Sequence, residues 1–428
     1  MDESRIPASA ISRRALLKGG AAAALGAGVF GAGIATGRST SGTDSGPGTS
    51  GAAGPYSLFG EHPVGVTTPA QDRLHFAALD VTTRSRAELR SLLDVWGRAA
   101  ERMMRGEGAG DVGPTSGPYD APPDDTGEAI GLPPAGLTIT FGFGPSLFDG
   151  RFGLANRRPA ALRTLPHFPG DTLDPARSDG DLCIQACSDD PQVAVHAVRN
   201  LVRLGFGTTA VRWSQLGFGR TSSTTSAQVT PRNLFGFKDG TANIKAEEAD
   251  ALDRHVWVRA GQYPEARWLV GGTFMVARRI SMTIETWDQQ SLRDQENIIG
   301  RTKSEGAPMS GGGEFDEPDF RRRGREGRPL IDAASHVALA HPTRNDGVRM
   351  LRRGYNFVDG STDLGRLDAG LFFIAFVNDP RSHFIPMQNA MAKNDLLVEY
   401  LRHTGSGLFA VPPGLRADAS LADTLFDR

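Results

Sequence analysis

Cysteine is scarce in this sequence, with two residues among 428, Cys183 and Cys187. If the segment around them is a strand, they lie on one face but about 13 Å apart, too far for a disulfide bond. The scarcity excludes a disulfide framework and a cysteine metal site. It predicts that both residues are thiols of the core.

An excess of charge of one sign and a long apolar run are also lacking. The formal net charge is -2, so electrostatics do not favour nucleic acid or an anionic membrane as a partner. The apolar run at residues 19–36 is close to the minimum length for spanning a bilayer and is diluted by glycine. With 39% hydrophobic and 22% charged residues, the composition is that of a soluble globular protein with two domains or one large one.

The N-terminus has the organisation of an export signal. In "ISRRALLKGGAAAALGAGVFGAGIA", the pair Arg13-Arg14 precedes a weakly apolar run that ends in small residues. The paired arginines resemble the twin-arginine type, which implies export by that machinery to the extracellular space or the cell envelope/periplasm. We expect a signal peptide at residues 1–38 and a flexible linker at 39–55, with a retained anchor helix as the alternative.

The pattern of apolar residues predicts an α+β protein. The first half reads as β-α-β-β-α-β, a split βαβ arrangement, with strands at 74–81, 136–144, 181–188 and 210–219 and helices at 85–104 and 190–204. The second half repeats much of this order, with strands at 267–282, 349–358 and 370–378 and helices at 287–300 and 390–403. We therefore expect tandem modules with antiparallel sheets, covering residues 56–230 and 231–428.

The stretch "RNLFGFKDGTANI" places a single carboxylate, Asp239, in a glycine turn with apolar neighbours. A carboxylate held near a buried surface is costly unless it has a partner. The segment "RMLRRGYNFV" offers one, because strand alternation would put Arg352 and Gly354 on one face, where a flat group could approach the backbone at the glycine. The alternative is that Arg352 and Arg353 are a solvated edge or are paired in salt bridges.

Two histidines, His336 and His341, lie in the charge-poor segment "IDAASHVALAHPTRNDG". Their spacing of five residues does not place them on one face of a helix, so a shared metal site is not expected. One of them could still be the only protein ligand of a larger cofactor.

The segments "NLFGFKDGTANI", "ASHVALAHP" and "LRRGYNF" together resemble the signatures of the dye-decolourising peroxidases, in particular the exported branch that includes deferrochelatase-type haem peroxidases. The resemblance extends from about Gly65 to Gly414. It implies a pair of ferredoxin-like modules enclosing one haem b per chain. It also implies a peroxidase that reduces hydrogen peroxide through a ferryl intermediate and oxidises aromatic donors and dyes.

The resemblance also implies roles for individual residues. His336 would be the axial ligand of the haem iron, Asp239 the distal carboxylate and Arg352 the distal arginine. Asp395 would accept the other ring N–H of His336, although a carboxylate at the start of a helix explains it equally well.

Haem propionates need hydrogen-bond donors, and Phe373 matches an apolar position of the distal pocket. The candidate donors are the backbone of Gly240, Thr241 and Ala242, the turn His341-Pro342-Thr343, and Arg301. The resemblance implies Asn-Pro-Arg in close relatives where this chain has His341-Pro342-Thr343, and Arg344 would then replace the missing guanidinium.

Two other functions share the same pocket in this interpretation. One is the release of iron from haem with the tetrapyrrole left intact. The other is a haem carrier or sensor without turnover, which would need an axial ligand and an apolar slot but neither Asp239 nor Arg352. The sequence does not indicate an oligomeric state.

Overall fold

The structure is a computed structural model, and it describes residues 55–325 and 327–426. The predicted signal peptide and all but the last residue of the predicted linker lie outside these residues. Within the described part of the chain, no helix combines the length and the apolar character needed to cross a bilayer.

The described residues form an α+β fold around one sheet in which every neighbouring pair of strands is antiparallel. The strands are β1 Arg73–Val81, β2 Thr138–Phe143, β3 Leu182–Ser188, β4 Thr209–Arg220, β5 Thr273–Met282, β6 Leu351–Arg352, β7 Tyr355–Ser361, β8 Leu367–Val377 and β9 Leu401–Val411. The helices are α1 Arg86–Met104, α2 Pro191–Leu204, α3 Ala249–His255, α4 Ile284–Asp288, α5 Leu292–Ile299, α6 His336–Ala340, α7 Phe384–Asn394 and α8 Leu421–Phe426.

The strand order is β5-β9-β2-β3-β1-β4-β7-β8-β6, and β5 also pairs with β8. The pairing therefore closes into a ring, with β6 and β7 forming an interrupted strand along one edge of β8. The first four strands are neighbours in the order β2-β3-β1-β4, and the later strands follow the equivalent order β7-β8-β5-β9.

Local sequence accounts for the long helices of the first half. Ser85 caps α1 by accepting a hydrogen bond from the Glu88 N–H, and the leucines and Trp96 of this helix are buried. Asp190 caps α2 in the same way, with Pro191 in its first turn. Cys183 and Cys187 lie on the fully buried strand β3 as free thiols, which confirms the prediction for both.

Three predicted elements of the second half have different bounds. The strand predicted from residue 267 begins at Thr273, and the helix predicted at 287–300 is interrupted by Ser291, which caps α5. The helix predicted at 390–403 is wrong beyond Asn394. The backbone is extended at Asp395, a short 3-10 helix follows, and the last three residues start β9. The pairing of β9 with β5 outweighs the weak strand propensity of "HTGSG".

Candidate active site

An aromatic cluster holds together the chain segments that carry the predicted site. Trp287 stacks on Phe235 at 4.4 Å between ring centroids and meets Tyr400 edge-on at 5.1 Å. Val337, adjacent to His336, packs against the same cluster, and Leu397 is one of its buried members. The cluster therefore anchors the Asp239 turn, the start of α6 and the Asp395 segment to one apolar base.

The Asp239 turn depends on its two glycines. Gly236 and Gly240 have φ angles of 81° and 86°, in the left-handed region that other residues avoid. A Cβ on Gly240 would also lie 2.9 Å from the backbone of Ser222. The turn is closed by hydrogen bonds from the Asp239 N–H to Pro231 O at 2.9 Å and from the Asn243 N–H to Gly240 O at 3.0 Å.

Arg352 is the partner that the Asp239 carboxylate was expected to have. Its Nη1 lies 2.8 Å from Asp239 Oδ1, and the two side chains are 27% and 13% exposed. The second carboxylate oxygen, Oδ2, accepts a hydrogen bond from Asn233 Nδ2 at 3.2 Å. Both oxygens of the half-buried carboxylate are thus paired, as burial of this charge requires.

The alternative of a solvated pair of arginines is wrong. Arg353 is fully buried and donates through Nη1 to Thr68 O at 2.6 Å. The expectation of an open approach at Gly354 is also wrong. A Cβ there would lie 2.7 Å from Thr221 Oγ1 and 3.2 Å from Phe372 O, so protein atoms already occupy that space.

His336 is the first residue of α6, and its Nδ1 lies 2.7 Å from Oδ2 of the buried Asp395. The other oxygen of Asp395, Oδ1, accepts the Leu397 N–H at 2.9 Å at the start of the short 3-10 helix. Asp395 therefore makes both contacts that the sequence suggested, one with the His336 imidazole and one at the start of a helix. One oxygen caps a helix, which fixes the carboxylate, and the other oxygen orients the imidazole.

The pKa of His336 depends on Asp395 and also on the Asp239–Arg352 pair. Burial disfavours the imidazolium, but the charge and hydrogen bond of Asp395 outweigh this and raise the pKa of His336. The charge of Asp239 raises this pKa further, and the charge of Arg352 lowers it. The imidazole, the carboxylate and the guanidinium therefore interact electrostatically, although Arg352 is 113 residues and His336 is 97 residues from Asp239 in sequence.

The donor set fits an iron porphyrin better than a bare metal ion. The Nε2 atom of His336 has no hydrogen-bond partner among the described residues, and the side chain is 31% exposed. In the same part of the chain, no group of three or more His, Cys, Asp or Glu side chains could hold a metal ion. A macrocycle that brings its own four nitrogen ligands needs only one such imidazole from the protein.

The turn after Asp239 retains free backbone donors. No acceptor among the described residues pairs with the N–H groups of Gly240, Thr241 and Ala242. The Thr241 hydroxyl donates to Glu314 Oε1 at 3.2 Å. Three successive free N–H groups are suited to an anionic group, as was predicted for a propionate.

The remaining predicted residues make contacts away from the Asp239–Arg352 pair and His336. His341 uses Nε2 toward Glu317 at 2.8 Å and Nδ1 toward Thr343 Oγ1 at 2.9 Å, and Pro342 begins a short 3-10 helix. Arg301 donates through Nη1 to the carbonyls of its own loop, and Arg344 donates to Ala333 O at 2.8 Å. Phe373 lies 6.1 Å from Phe384, between ring centroids. None of these contacts joins His336, Asp239 or Arg352 in the described part of the chain.

Sequence reasoning missed Asn233 and Asn243. Asn233 donates to the Asp239 carboxylate, and the Asn243 side chain bonds the backbone of Arg352. The available signal was their position, since both flank Asp239 in "RNLFGFKDGTANI" and amide side chains commonly fix turns.

Fold and site together define an α+β protein in which an imidazole oriented by a carboxylate interacts electrostatically with an acid–guanidinium pair. Two protein-family models match the sequence of this chain. Residues 63–219 match the N-terminal model "Dyp-type peroxidase, N-terminal", and residues 230–416 match the model "Dyp-type peroxidase, C-terminal". The chain belongs to the Dyp-type peroxidase family.

Similar proteins include enzymes with two different names. The chain is 36% identical to "Deferrochelatase" of Escherichia coli K12 over 363 residues, which cover 84% of each chain. It is 38% identical to "Dye-decolorizing peroxidase" of Thermobifida fusca over 364 residues, covering 81% of this chain and 80% of that protein. Among solved structures, ferric DtpA from Streptomyces lividans is similar with a TM-score of 0.81 and 39% identity, covering 90% of this chain and all of that one.

Proposed function

We propose that this protein is a haem-dependent peroxidase that reduces hydrogen peroxide and oxidises aromatic donors, including dyes. The observation that carries the proposal is the electrostatic interaction between an acid–guanidinium pair and a histidine that a buried carboxylate orients. The Asp239–Arg352 pair is 2.8 Å long, and its charges act on His336, which is itself held by Asp395 at 2.7 Å. Membership of the Dyp-type peroxidase family supports the same function.

His336 would hold the haem iron through Nε2, the ring nitrogen for which residues 55–325 and 327–426 provide no hydrogen-bond partner. When bound, the haem supplies an open coordination position for peroxide and the redox chemistry that cleaves the O–O bond. Asp395 keeps the proton on Nδ1 of His336, so that the lone pair of Nε2 would be available to bind the iron. The N–H groups of Gly240, Thr241 and Ala242 would receive a haem propionate. Propionate contacts of Arg301, of the turn His341-Pro342-Thr343, and a pocket contact of Phe373 stay predictions.

Asp239 would move the peroxide proton. Its carboxylate can accept the proton from the inner oxygen of peroxide and return it to the outer oxygen, which leaves as water when the O–O bond breaks. Arg352 remains cationic and can stabilise the negative charge that develops on that oxygen. The 2.8 Å contact places Nη1 of Arg352 beside the proton acceptor, Oδ1 of Asp239.

We also propose that the fold consists of two ferredoxin-like modules, at residues 56–230 and 231–428, that enclose the haem pocket. The equivalent orders β2-β3-β1-β4 and β7-β8-β5-β9 support this division, because each half places its first and third strands at the centre. The helices fall at matching places between the strands, in a β-α-β-β-α-β order.

Export by the twin-arginine route, to the extracellular space or the cell envelope, remains a proposal based on Arg13 and Arg14. Replacing both with lysine keeps the charge of the segment but removes the arginine pair. We expect the variant to accumulate inside the cell, whereas wild-type export of this variant would contradict a twin-arginine signal.

Iron release from haem is the second candidate, favoured by the 36% identity to proteins named deferrochelatase. Peroxide reduction and iron release have different products. The purified protein should bleach a dye only with hydrogen peroxide present, and should leave added haem without the fluorescence of metal-free porphyrin. Porphyrin fluorescence without dye oxidation would reverse the assignment. A carrier without turnover would show neither activity.

A further inference from the structure

Arg352 lies on the shortest strand of the sheet. Strand β6 has two residues, and it pairs with β8 only through Leu351–Phe376 and Arg352–Ala375. Such a short ladder, bonded on one side, gives little resistance to a shift of the backbone. The guanidinium must nevertheless meet the Asp239 carboxylate at 2.8 Å. Something besides the sheet has to hold this residue in position.

The side chain of Asn243 supplies that restraint. Its Oδ1 accepts the Arg352 N–H at 2.7 Å, and its Nδ2 donates to Arg352 O at 2.9 Å. Nδ2 also donates to Ser223 O at 3.0 Å, and the residue is 2% exposed. One oxygen facing an N–H and one nitrogen facing two carbonyls define the orientation of the amide. The amide therefore pairs with Arg352 as a neighbouring strand would.

The main chain of Asn243 belongs to the turn that carries the carboxylate. Its N–H closes that turn on Gly240 O at 3.0 Å, four residues after Asp239. One short segment, residues 239–243, therefore carries the carboxylate and also binds the backbone of Arg352. Arg353 fixes the opposite side, because its buried guanidinium donates to Thr68 O and its N–H to Ile374 O.

We propose that Asn243 is the positioning residue that fixes Arg352 against Asp239 for the reaction with peroxide. This inference rests on the proposed function, in which Arg352 stabilises charge on the leaving oxygen. Removal of the amide leaves two backbone groups of Arg352 without these partners beside a position that is 2% exposed, so that the strand must shift to satisfy them. A displacement of about 1 Å at a catalytic group can cost about a hundredfold in rate.

The test compares Asn243→Leu with Asn356→Leu in the haem-loaded protein. Asn356 is a matched control, since it is 4% exposed on the next strand and its Nδ2 donates to Gly219 O at 2.9 Å and not to Arg352. The two readouts are amide hydrogen exchange at Arg352 and the second-order rate of reaction with hydrogen peroxide. The absorption spectrum of the ferric haem reports whether the His336 side is intact.

We expect Asn243→Leu to speed exchange at Arg352 about tenfold or more, and to slow the peroxide reaction about 10- to 100-fold with an unchanged ferric spectrum. Asn356→Leu should change neither readout at Arg352. A peroxide rate of Asn243→Leu within twofold of wild type would overturn the proposal, whatever the exchange shows. Equal slowing by Asn356→Leu would also overturn it, because the loss would then reflect general destabilisation.

A second variant covers the case in which Asn243→Leu does not fold. Asn243→Asp is isosteric and keeps an acceptor for the Arg352 N–H but loses the donor to Arg352 O, so we expect an intermediate rate. A wild-type rate in this variant would show that the hydrogen bond from Asn243 Nδ2 to Arg352 O is not needed to position Arg352. Arg352→Ala distinguishes the proposed role of Arg352 from the proposed role of Asn243. If it reacts with peroxide as fast as wild type, the proposed function of Arg352 fails. If it is slow while Asn243→Leu is fast, only the role of Asn243 fails.

Discussion

The carboxylate of Asp239 allows a sharp test, because Asp239→Asn removes the base while it keeps the shape. An asparagine oxygen can still accept from Arg352 Nη1, which lies 2.8 Å from Oδ1 in the wild type. What disappears is the negative charge and the ability to take a proton. Positioned general acid–base catalysis contributes about 10²- to 10⁴-fold, or about 3 to 5 kcal/mol of activation free energy. We expect the peroxide reaction to slow by that factor.

The structure limits the cost of the same substitution in stability. The Arg352 side chain is 27% exposed, so water can partly solvate the guanidinium when its counter-charge is lost. A hydrogen bond to a charged group contributes about 1.5 to 3 kcal/mol, and the neutral replacement keeps part of it. We therefore expect the free energy of unfolding to fall by less than about 2 kcal/mol. Haem binding should persist, since His336 and Asp395 are unchanged.

Stopped-flow mixing of the haem-loaded protein with hydrogen peroxide measures the second-order rate directly. A suitable control is Glu128→Gln, which neutralises another surface-reaching ion pair, that of Glu128 with Arg199. The control should react as wild type does. If Asp239→Asn reacts within threefold of wild type while it retains haem, then Asp239 is not the base. The proton must in that case be moved by another group.

Three further predictions concern the imidazole and the buried histidines. His336→Ala should lose the haem absorption of the wild type, or shift it grossly, because the imidazole that would bind the iron is removed. Asp395→Asn should keep haem but raise its reduction potential, since a weaker acceptor at Nδ1 makes the imidazole a poorer donor to ferric iron. Burial lowers the pKa of His75 to about 4 and, with help from a nearby arginine, that of His403 to about 3. Below about pH 6.5, unfolding is therefore accompanied by uptake of protons by these histidines. The free energy of unfolding should decrease as the pH is lowered, by up to about 2 kcal/mol per histidine at pH 5.

Each of these expectations has a contrary outcome. An unchanged ferric spectrum with normal turnover in His336→Ala would remove this residue as the ligand. A lowered or unaltered potential in Asp395→Asn would show that the carboxylate does not tune the imidazole. For the histidines, urea unfolding at pH 7 and pH 5 should show a smaller loss in His75→Gln than in the wild type, and equal losses would contradict the assignment of His75.

The long elements of the first half were predictable because each is determined by local signals. Helix α1 has a capping serine, a regular apolar stripe and no glycine before Gly97, and it forms where the sequence indicates. The error at residues 390–403 has the opposite origin. The apolar spacing there is typical of a helix, but Asp395 turns the chain and ten register positions with β5 make the continuation a strand. Strand pairing depends on a partner more than 100 residues away, which local periodicity does not reveal.

For the site, the sequence by itself determined the residue types and their local conformations. It placed Asp239 between two glycines that the turn requires, and it put His336 directly after the capping position of a short helix. It also determined that a carboxylate beside Phe235 and Phe237 needs a counter-charge, because burial of an unpaired charge is costly whatever the fold.

Only the tertiary structure decided which groups meet. Arg352 reaches Asp239 across 113 residues of sequence, and Asp395 reaches His336 across 59. The choice of Arg352 over the adjacent Arg353 follows from the closure of the sheet, which buries one side chain and leaves the other facing the turn. Hydrogen bonds act over about 3 Å, so the site exists only once the strands have brought these distant segments together.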